Sequence, residues 1–400
     1  MSRTETLQFL NLAHFLDHFF LLIFPTAALA IGPAWEMSYG QTLALGAPAY
    51  VCFAVGTLPA GWLGDRMDRT VLIALFFLGC GAASLFVAVA ENAAQMTIGL
   101  GALGLFAAIY HPVGIAMIPD LADRTGRALA VNGVFGNMGL AGAAVATGFL
   151  ADSFGWRSAF ALPGAFSALL GVALLLRRLR SGASEHHSGA SSAKPAGDGR
   201  SQVVVFAVIC VAALFGGLIF NAVSVSLPKF FEERLSGLDG DLALIGAWSG
   251  LVFALAAFAQ LPVGELLDRY GARLVMSVVL AAQMLLLVLV ARLEGWIVLP
   301  LSLLLVTMMF AEIPICGWLM GRYVRSAFRS RATAIEYTLS LGMTAAVVPA
   351  LAAMHEAGFG FDRQFLLLAV SAAVVMIAAQ FLPRAGRRAP APLPADAPSS

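Results

Sequence analysis

The sequence predicts an all-α membrane protein, with twelve transmembrane helices in two pseudo-symmetric six-helix bundles. Three observations carry that prediction. Of 400 residues, 60% are hydrophobic and only 12% are charged, about half the charge of an ordinary soluble domain. Uncharged runs such as VLIALFFLGCGAASLFVAVA at 71–90 and LVMSVVLAAQMLLLVLVA at 274–291 have the ~20 residues that a helix needs to cross ~30 Å of hydrocarbon. A short polar motif also recurs once, at the equivalent place in each half.

Taken in order, the spans fall near 7–31, 41–63, 71–90, 94–118, 130–150, 158–176, 203–226, 242–263, 274–291, 296–320, 332–353 and 364–383. Residues 1–176 form the first bundle and 203–383 the second. Between them, 177–202 is rich in Ser, Gly and Ala without apolar periodicity, which reads as a flexible linker. The Pro/Ala-rich tail at 384–400 reads as disordered. Ala28-Leu29-Ala30 imitates a signal-cleavage site. The apolar run before it is too long for a signal peptide and holds Asp17 and His18, so an uncleaved first span is expected. Cys52, Cys80, Cys210 and Cys316 all sit in apolar runs and read as small buried hydrophobes rather than disulfide partners.

Lys and Arg set the orientation. With twelve spans, both termini and the linker share a side, which then carries 19 of the 24 basic residues; the other carries 5. Both termini are therefore expected in the cytoplasm, for an integral protein of a bacterial inner membrane. The net charge of +1 and the lack of a basic block give no sign of nucleic acid as a partner.

The recurring motif is GWLGDR at 61–66 and GELLDR at 264–269. Gly61, Leu63, Asp65 and Arg66 return as Gly264, Leu266, Asp268 and Arg269, each 203 residues later, at the cytoplasmic end of the second span of a half. Such a match indicates two homologous halves. Gly permits close helix approach. Asp at a helix start accepts backbone N–H groups, and Arg answers it across a short loop. Contacts of this kind can hold one face of a transporter shut. The pattern resembles the signature loop of the major facilitator superfamily, although Asp68 stands where Gly is usual before Arg69, and the second copy has an extra residue between Gly271 and Arg273. GWRSAF at 155–160 is also common in that superfamily. HFLDH at 14–18, YHPVG at 110–114 and GNMGLAG at 136–142 resemble the branch of fosmidomycin-resistance-like exporters. The resemblance implies a secondary transporter working by alternating access, a central cavity lined by spans 1, 4, 7 and 10, and monomeric function.

Polar residues agree with that expectation. Span 1 holds Asn11, His14, Asp17 and His18; span 4 holds Tyr110 and His111; span 7 holds Asn221; span 10 holds Glu312. Spans 3, 6, 9 and 12 have no ionisable residue in their interiors. An acid at the middle of a membrane helix costs ~2.5–3.5 kcal/mol on insertion scales, so it needs a reason. His14, Asp17 and His18 are spaced three and four apart and can share one helix face. A carboxyl between burial and a neighbouring imidazole is poised to exchange a proton, and Glu312 can do the same from the other half. Pro112 and Pro314, 202 residues apart, each follow a polar group and can break a helix beside a cavity. The leading expectation is proton-coupled efflux of a small organic compound, with His14, Asp17, His18, His111, Asn221 and Glu312 binding substrate or protons.

Blander readings stand beside this one. Asp17 can hold two helices together by a hydrogen bond, and the histidines can lie at an interface. Gly133, Gly136, Gly139 and Gly142 in span 5 read as helix packing. The antiporter motif of that span carries a Pro that is lacking here, which leaves transport direction open, including proton-coupled uptake of a metabolite. GLGALG at 99–104 fits a dinucleotide fingerprint but lies inside an apolar span, so it too reads as packing. No Walker motif, cofactor motif or nucleophile–base set marks an enzyme. The alternative cargo is a transition metal, since His14, Asp17, His18, His111, Glu312 and Cys316 are all potential ligands.

Overall fold

A computed structural model describes residues 2–64, 66–122, 125–180, 199–238, 240–324 and 326–383. Asp65, residues 181–198 of the expected linker and the expected tail lie outside them, whereas 177–180 and 199–202, expected in the linker, are helical. The described residues hold twelve helical segments long and apolar enough to cross a membrane, and no strand.

The first half comprises α1 (Arg3–Ala34), α2 (Tyr39–Ala44), α3 (Ala47–Gly64), α4 (Arg69–Ala88), α5 (Ala93–Ala107), α6 (Tyr110–Leu121), α7 (Thr125–Phe154) and α8 (Trp156–Arg180). The second comprises α9 (Gly199–Arg234), α10 (Leu242–Ala257), α11 (Gln260–Tyr270), α12 (Ala272–Arg292), α13 (Val298–Tyr323), α14 (Ser326–Glu356) and α15 (Phe361–Ala379). Three spans are each built from two helical pieces: α2 with α3, α5 with α6, and α10 with α11. In the fourth and eighth spans the second piece carries a proline at its third position, Pro112 or Pro262, where the missing N–H has no helical partner to lose. Pro314 differs from expectation: it lies inside α13, which runs unbroken past it.

The turns are short and chemically explicit. Ser2 and Ser38 close capping boxes at the starts of α1 and α2. Single glycines with positive φ, Gly155 and Gly271, join α7 to α8 and α11 to α12, a backbone region open to glycine at little cost. Within the first half, α4 packs on α8 and α1 on α7. GLGALG works as a packing surface, since a Cβ on Gly104 would collide with the Ala49 carbonyl of α3, and one on Gly99 with Val87 and Phe86. The four cysteines are free.

The halves meet at the end away from the linker. Ser38 donates a hydrogen bond to Glu356 at the end of α14. The Tyr39 ring lies 5.1 Å from His355 and 5.5 Å from Lys229 Nζ. Lys229 is held in turn by Glu232 at 2.5 Å. Alongside, α7 and α10 touch backbone to backbone: a Cβ on Gly148 would strike Leu242 O, and one on Gly246 would strike Ala144 O. One apolar cluster runs through the first half and the far end of the second. A separate cluster around Val205, Met276, Ile315 and Leu319 occupies the linker end of the second half alone. Apolar continuity between the halves therefore exists at the far end, and the molecule is shut there.

Candidate functional site

The polar residues of span 1 converge with those of spans 4 and 5 in the buried interior. His14 and Asp17 of α1 and His111 of α6 are 8%, 0% and 9% exposed, so they are packed groups, not interfacial ones. Asn132 of α7 organises the arrangement. Its Nδ2 donates to Leu10 O at 3.3 Å and Asn11 Oδ1 at 3.0 Å. This orients Oδ1 to accept from Tyr110 OH at 2.9 Å and to face His14 Nδ1 at 2.9 Å. His14 Nδ1 also lies 2.8 Å from Asn132 O. Both oxygens are acceptors, so Nδ1 carries the ring proton and Nε2 keeps its lone pair.

Three imidazoles then face one another. Ring centroids are 4.9 Å apart for His14 and His18, 5.4 Å for His14 and His111, and 5.5 Å for His18 and His111. Tyr110 stacks on His14 at 4.9 Å, and Tyr337 of α14 approaches His111 to 5.6 Å from the other half. Asp17 Oδ2 lies 3.2 Å from His111 Nδ1, yet the pair is not aligned as a hydrogen bond, and both Asp17 oxygens, His111 Nδ1 and His18 Nε2 are buried without a hydrogen-bond partner. The imidazole beside Asp17 thus comes from another span, α6.

Glycine makes the room. A Cβ on Gly136 would stand 2.5 Å from His14 Nε2; on Gly139 it would hit Phe15 O; on Gly142 it would press on the Phe15 ring at 2.8 Å. These three pack α7 against α1, as expected, and Gly136 also opens space beside an imidazole. Gly133 meets only Gln260 Oε1, at 3.8 Å.

The second half is sparser. Glu312 of α13 is 7% exposed and has neither a hydrogen bond nor an ion pair among the described residues; a Cβ on Gly216 of α9 would lie 2.7 Å from its Oε1. Cys316 lies one turn further along the same helix and is also buried. Asn221 donates to Gly217 O of its own helix at 2.8 Å, so one of its two amide N–H groups is used locally.

The loop motif differs from expectation. A Cβ on Gly264 would meet nothing within 4 Å, and one on Gly61 only an ordinary contact with Pro112 at 3.5 Å, so neither enforces close helix approach here. Asp268 lies in the last turn of α11, not at a helix start, and accepts from Trp318 Nε1 at 3.2 Å. Arg66 bonds Trp62 O at 3.2 Å and covers that ring, and Arg269 covers Tyr270 at 5.2 Å. The helix-start role belongs to Asp68, which caps α4 through Thr70 N at 2.8 Å and accepts from Arg178 Nε of α8 at 2.7 Å. Partial burial pushes the Asp68 carboxyl up, but Arg178 and the Thr70 and Val71 amides outweigh it and hold the group below the usual carboxylate range. Arg69 pairs with Asp120 of α6 at 3.6 Å.

Comparison with known proteins agrees with this architecture. Residues 10–245 match the family model described as Major Facilitator Superfamily. The chain is 31% identical over 154 residues to the puromycin resistance protein pur8 of Streptomyces alboniger, covering 37% of this chain and 28% of that one. It is 33% identical over 157 residues to a multidrug resistance protein B homolog of Mycobacterium tuberculosis (strain ATCC 25618 / H37Rv), covering 38% and 27%. The match thus spans little more than a quarter of these curated relatives. Among solved structures, a bacterial homolog of the human lysosomal transporter Spinster, inward-facing and occupied, superposes with TM-score 0.73 at 16% identity over 95% of this chain and 96% of that one. A POT family transporter in complex with 5-aminolevulinic acid gives TM-score 0.73 at 14% identity, over 93% and 94%. These identities speak to the fold alone. Twelve apolar spans and the family match make the chain an integral membrane protein, and it belongs to the major facilitator superfamily.

Proposed function

We propose that the chain exports a small organic compound in exchange for protons. Glu312 carries the exchanged proton. His14, Asp17, His18 and His111 form the wall that cargo meets in the first half, and Asn221 adds a polar contact in the second. The halves rock about this site as rigid six-helix units, residues 1–176 and 203–383. The loops around Gly61, Asp65 and Arg66 and around Gly264, Asp268 and Arg269 meet when the linker end closes. The setting is a bacterial inner membrane, with both termini cytoplasmic and one chain sufficient.

The observation that carries the coupling is Glu312, a buried acid on a membrane span with no partner among the described residues. An isolated intramembrane carboxylate is expensive and points to function, and a protonated one is far cheaper. Export is favoured by the relatives named for puromycin and multidrug resistance. The three stretches that resemble fosmidomycin-resistance-like exporters supply His14, Asp17, His18, Tyr110, His111 and Gly136, which are linked by close contacts. This supports placing the chain in that branch.

The test is flux in proteoliposomes holding a pH-sensitive dye, against phosphonates, lipophilic cations and organic acids. A compound should move against its gradient as protons move the other way, and Glu312→Gln should stop the exchange while leaving the protein folded. Gradient-driven exchange that persists in Glu312→Gln, or transport without proton movement, refutes the reading.

A further inference from the structure

We infer that His14, His18 and His111 form a binding site for one divalent transition-metal ion, with the Asp17 carboxylate beside it. Their ligand atoms all lie within 4.8 Å of one another. Two come from α1 at a spacing of four and the third from α6, so a single ion would tie the first span to the fourth. Imidazole nitrogen suits zinc, copper, nickel and cobalt, whereas magnesium and calcium take oxygen.

Three further observations agree. First, His14 gives its Nδ1 proton to the Asn132 carbonyl, leaving Nε2 free; metal-binding histidines are oriented in this way by a partner on the second nitrogen. Second, His18 Nε2, His111 Nδ1 and both Asp17 oxygens are buried with no hydrogen-bond partner. Buried polar atoms are normally satisfied, and an ion among them would satisfy several at once, with Asp17 offsetting its charge. Third, Gly136 keeps the side of His14 Nε2 clear of a Cβ. Around a tetrahedral ion with bonds of about 2.0–2.1 Å, ligand atoms stand about 3.4 Å apart. The imidazoles therefore draw together by roughly an ångström as the ion binds, a movement within reach of side-chain rotation.

The inference does not depend on the export reading, and its test is binding rather than flux. The full chain is purified without a polyhistidine tag, as wild type and in a His186→Ala/His187→Ala background that removes two neighbouring imidazoles between the halves. Cobalt titration should give the visible absorption of a low-symmetry site with one ion per chain. Copper electron spin resonance should show imidazole nitrogen, and zinc should raise the melting temperature while magnesium does not. His18→Ala or His111→Ala should weaken zinc binding at least about tenfold, a size that even a second-shell loss can reach, and Glu312→Gln should not. If either histidine variant fails to fold, the cobalt and copper spectra of the His186→Ala/His187→Ala protein decide alone. Absence of nitrogen-bound metal there, or zinc stabilisation that survives loss of both His18 and His111, overturns the site.

Discussion

Gly136 and His14 are matched in size: a methyl group on the glycine would stand 2.5 Å from the imidazole Nε2. Alanine in a helix is ordinarily better than glycine by ~1 kcal/mol, whereas overpacking costs about 1–3 kcal/mol. Gly136→Ala should therefore lower the melting temperature and displace His14. Adding His14→Ala should recover most of the loss, because the clash partner is gone. Additive effects in this double-mutant cycle, read by thermal melts, would show that the two residues do not meet.

Asn132 satisfies groups on α1 and α6 at once. Asn132→Ala should destabilise the protein by ~1–3 kcal/mol, the cost of leaving a buried hydroxyl such as that of Tyr110 unpaired. In a Tyr110→Phe background the same substitution should cost less, as measured by chemical denaturation in detergent.

The backbone contact between Gly246 and Ala144 permits closure of the far end. Gly246→Leu should wedge α7 from α10 and populate the state open at that end. Spin labels at positions 66 and 269, at the linker end, should then report a shorter distance than in wild type. An unchanged distance distribution would show that closure rests elsewhere.

Asp68 offers a pH-dependent test outside the membrane spans. Its carboxyl sits below its unfolded value, so its stabilisation is present above about pH 4, the ordinary carboxylate pKa, and is lost as pH falls through the lower folded value. Asp68→Asn keeps a good cap and removes only the Arg178 ion pair, which should cost at most ~1 kcal/mol at a partly exposed site. Asp68→Ala removes both, for ~1–2 kcal/mol in all. Melts at pH 7 should rank wild type, Asn, then Ala, and the gap between wild type and Asn should shrink below pH 4.

Much of this architecture was legible from periodicity and composition. Twelve apolar runs became twelve spans, and His14, Asp17 and His18 share a face because helical spacing requires it. His111 joins them because α6 packs against α1. Asn132 was missed: an asparagine among small residues signals nothing until the chain places it beside Leu10, 122 residues away in sequence. The Asp68–Arg178 pair is equally remote, at 110 residues, and the loop motif drew attention to Asp65 and Asp268 instead. Local patterns show which face of a helix is polar; which polar group answers it is settled by packing.

Ser38 serves two masters with different atoms. Its oxygen accepts the Gln41 amide that starts α2, while its hydroxyl proton goes to Glu356 across the gap between the halves. Parting the halves takes away the second contact and leaves the first. The far face can thus open without unravelling a helix end, at the cost of a charged hydrogen bond worth ~1.5–3 kcal/mol, and the same turn is ready to clasp again when the halves return.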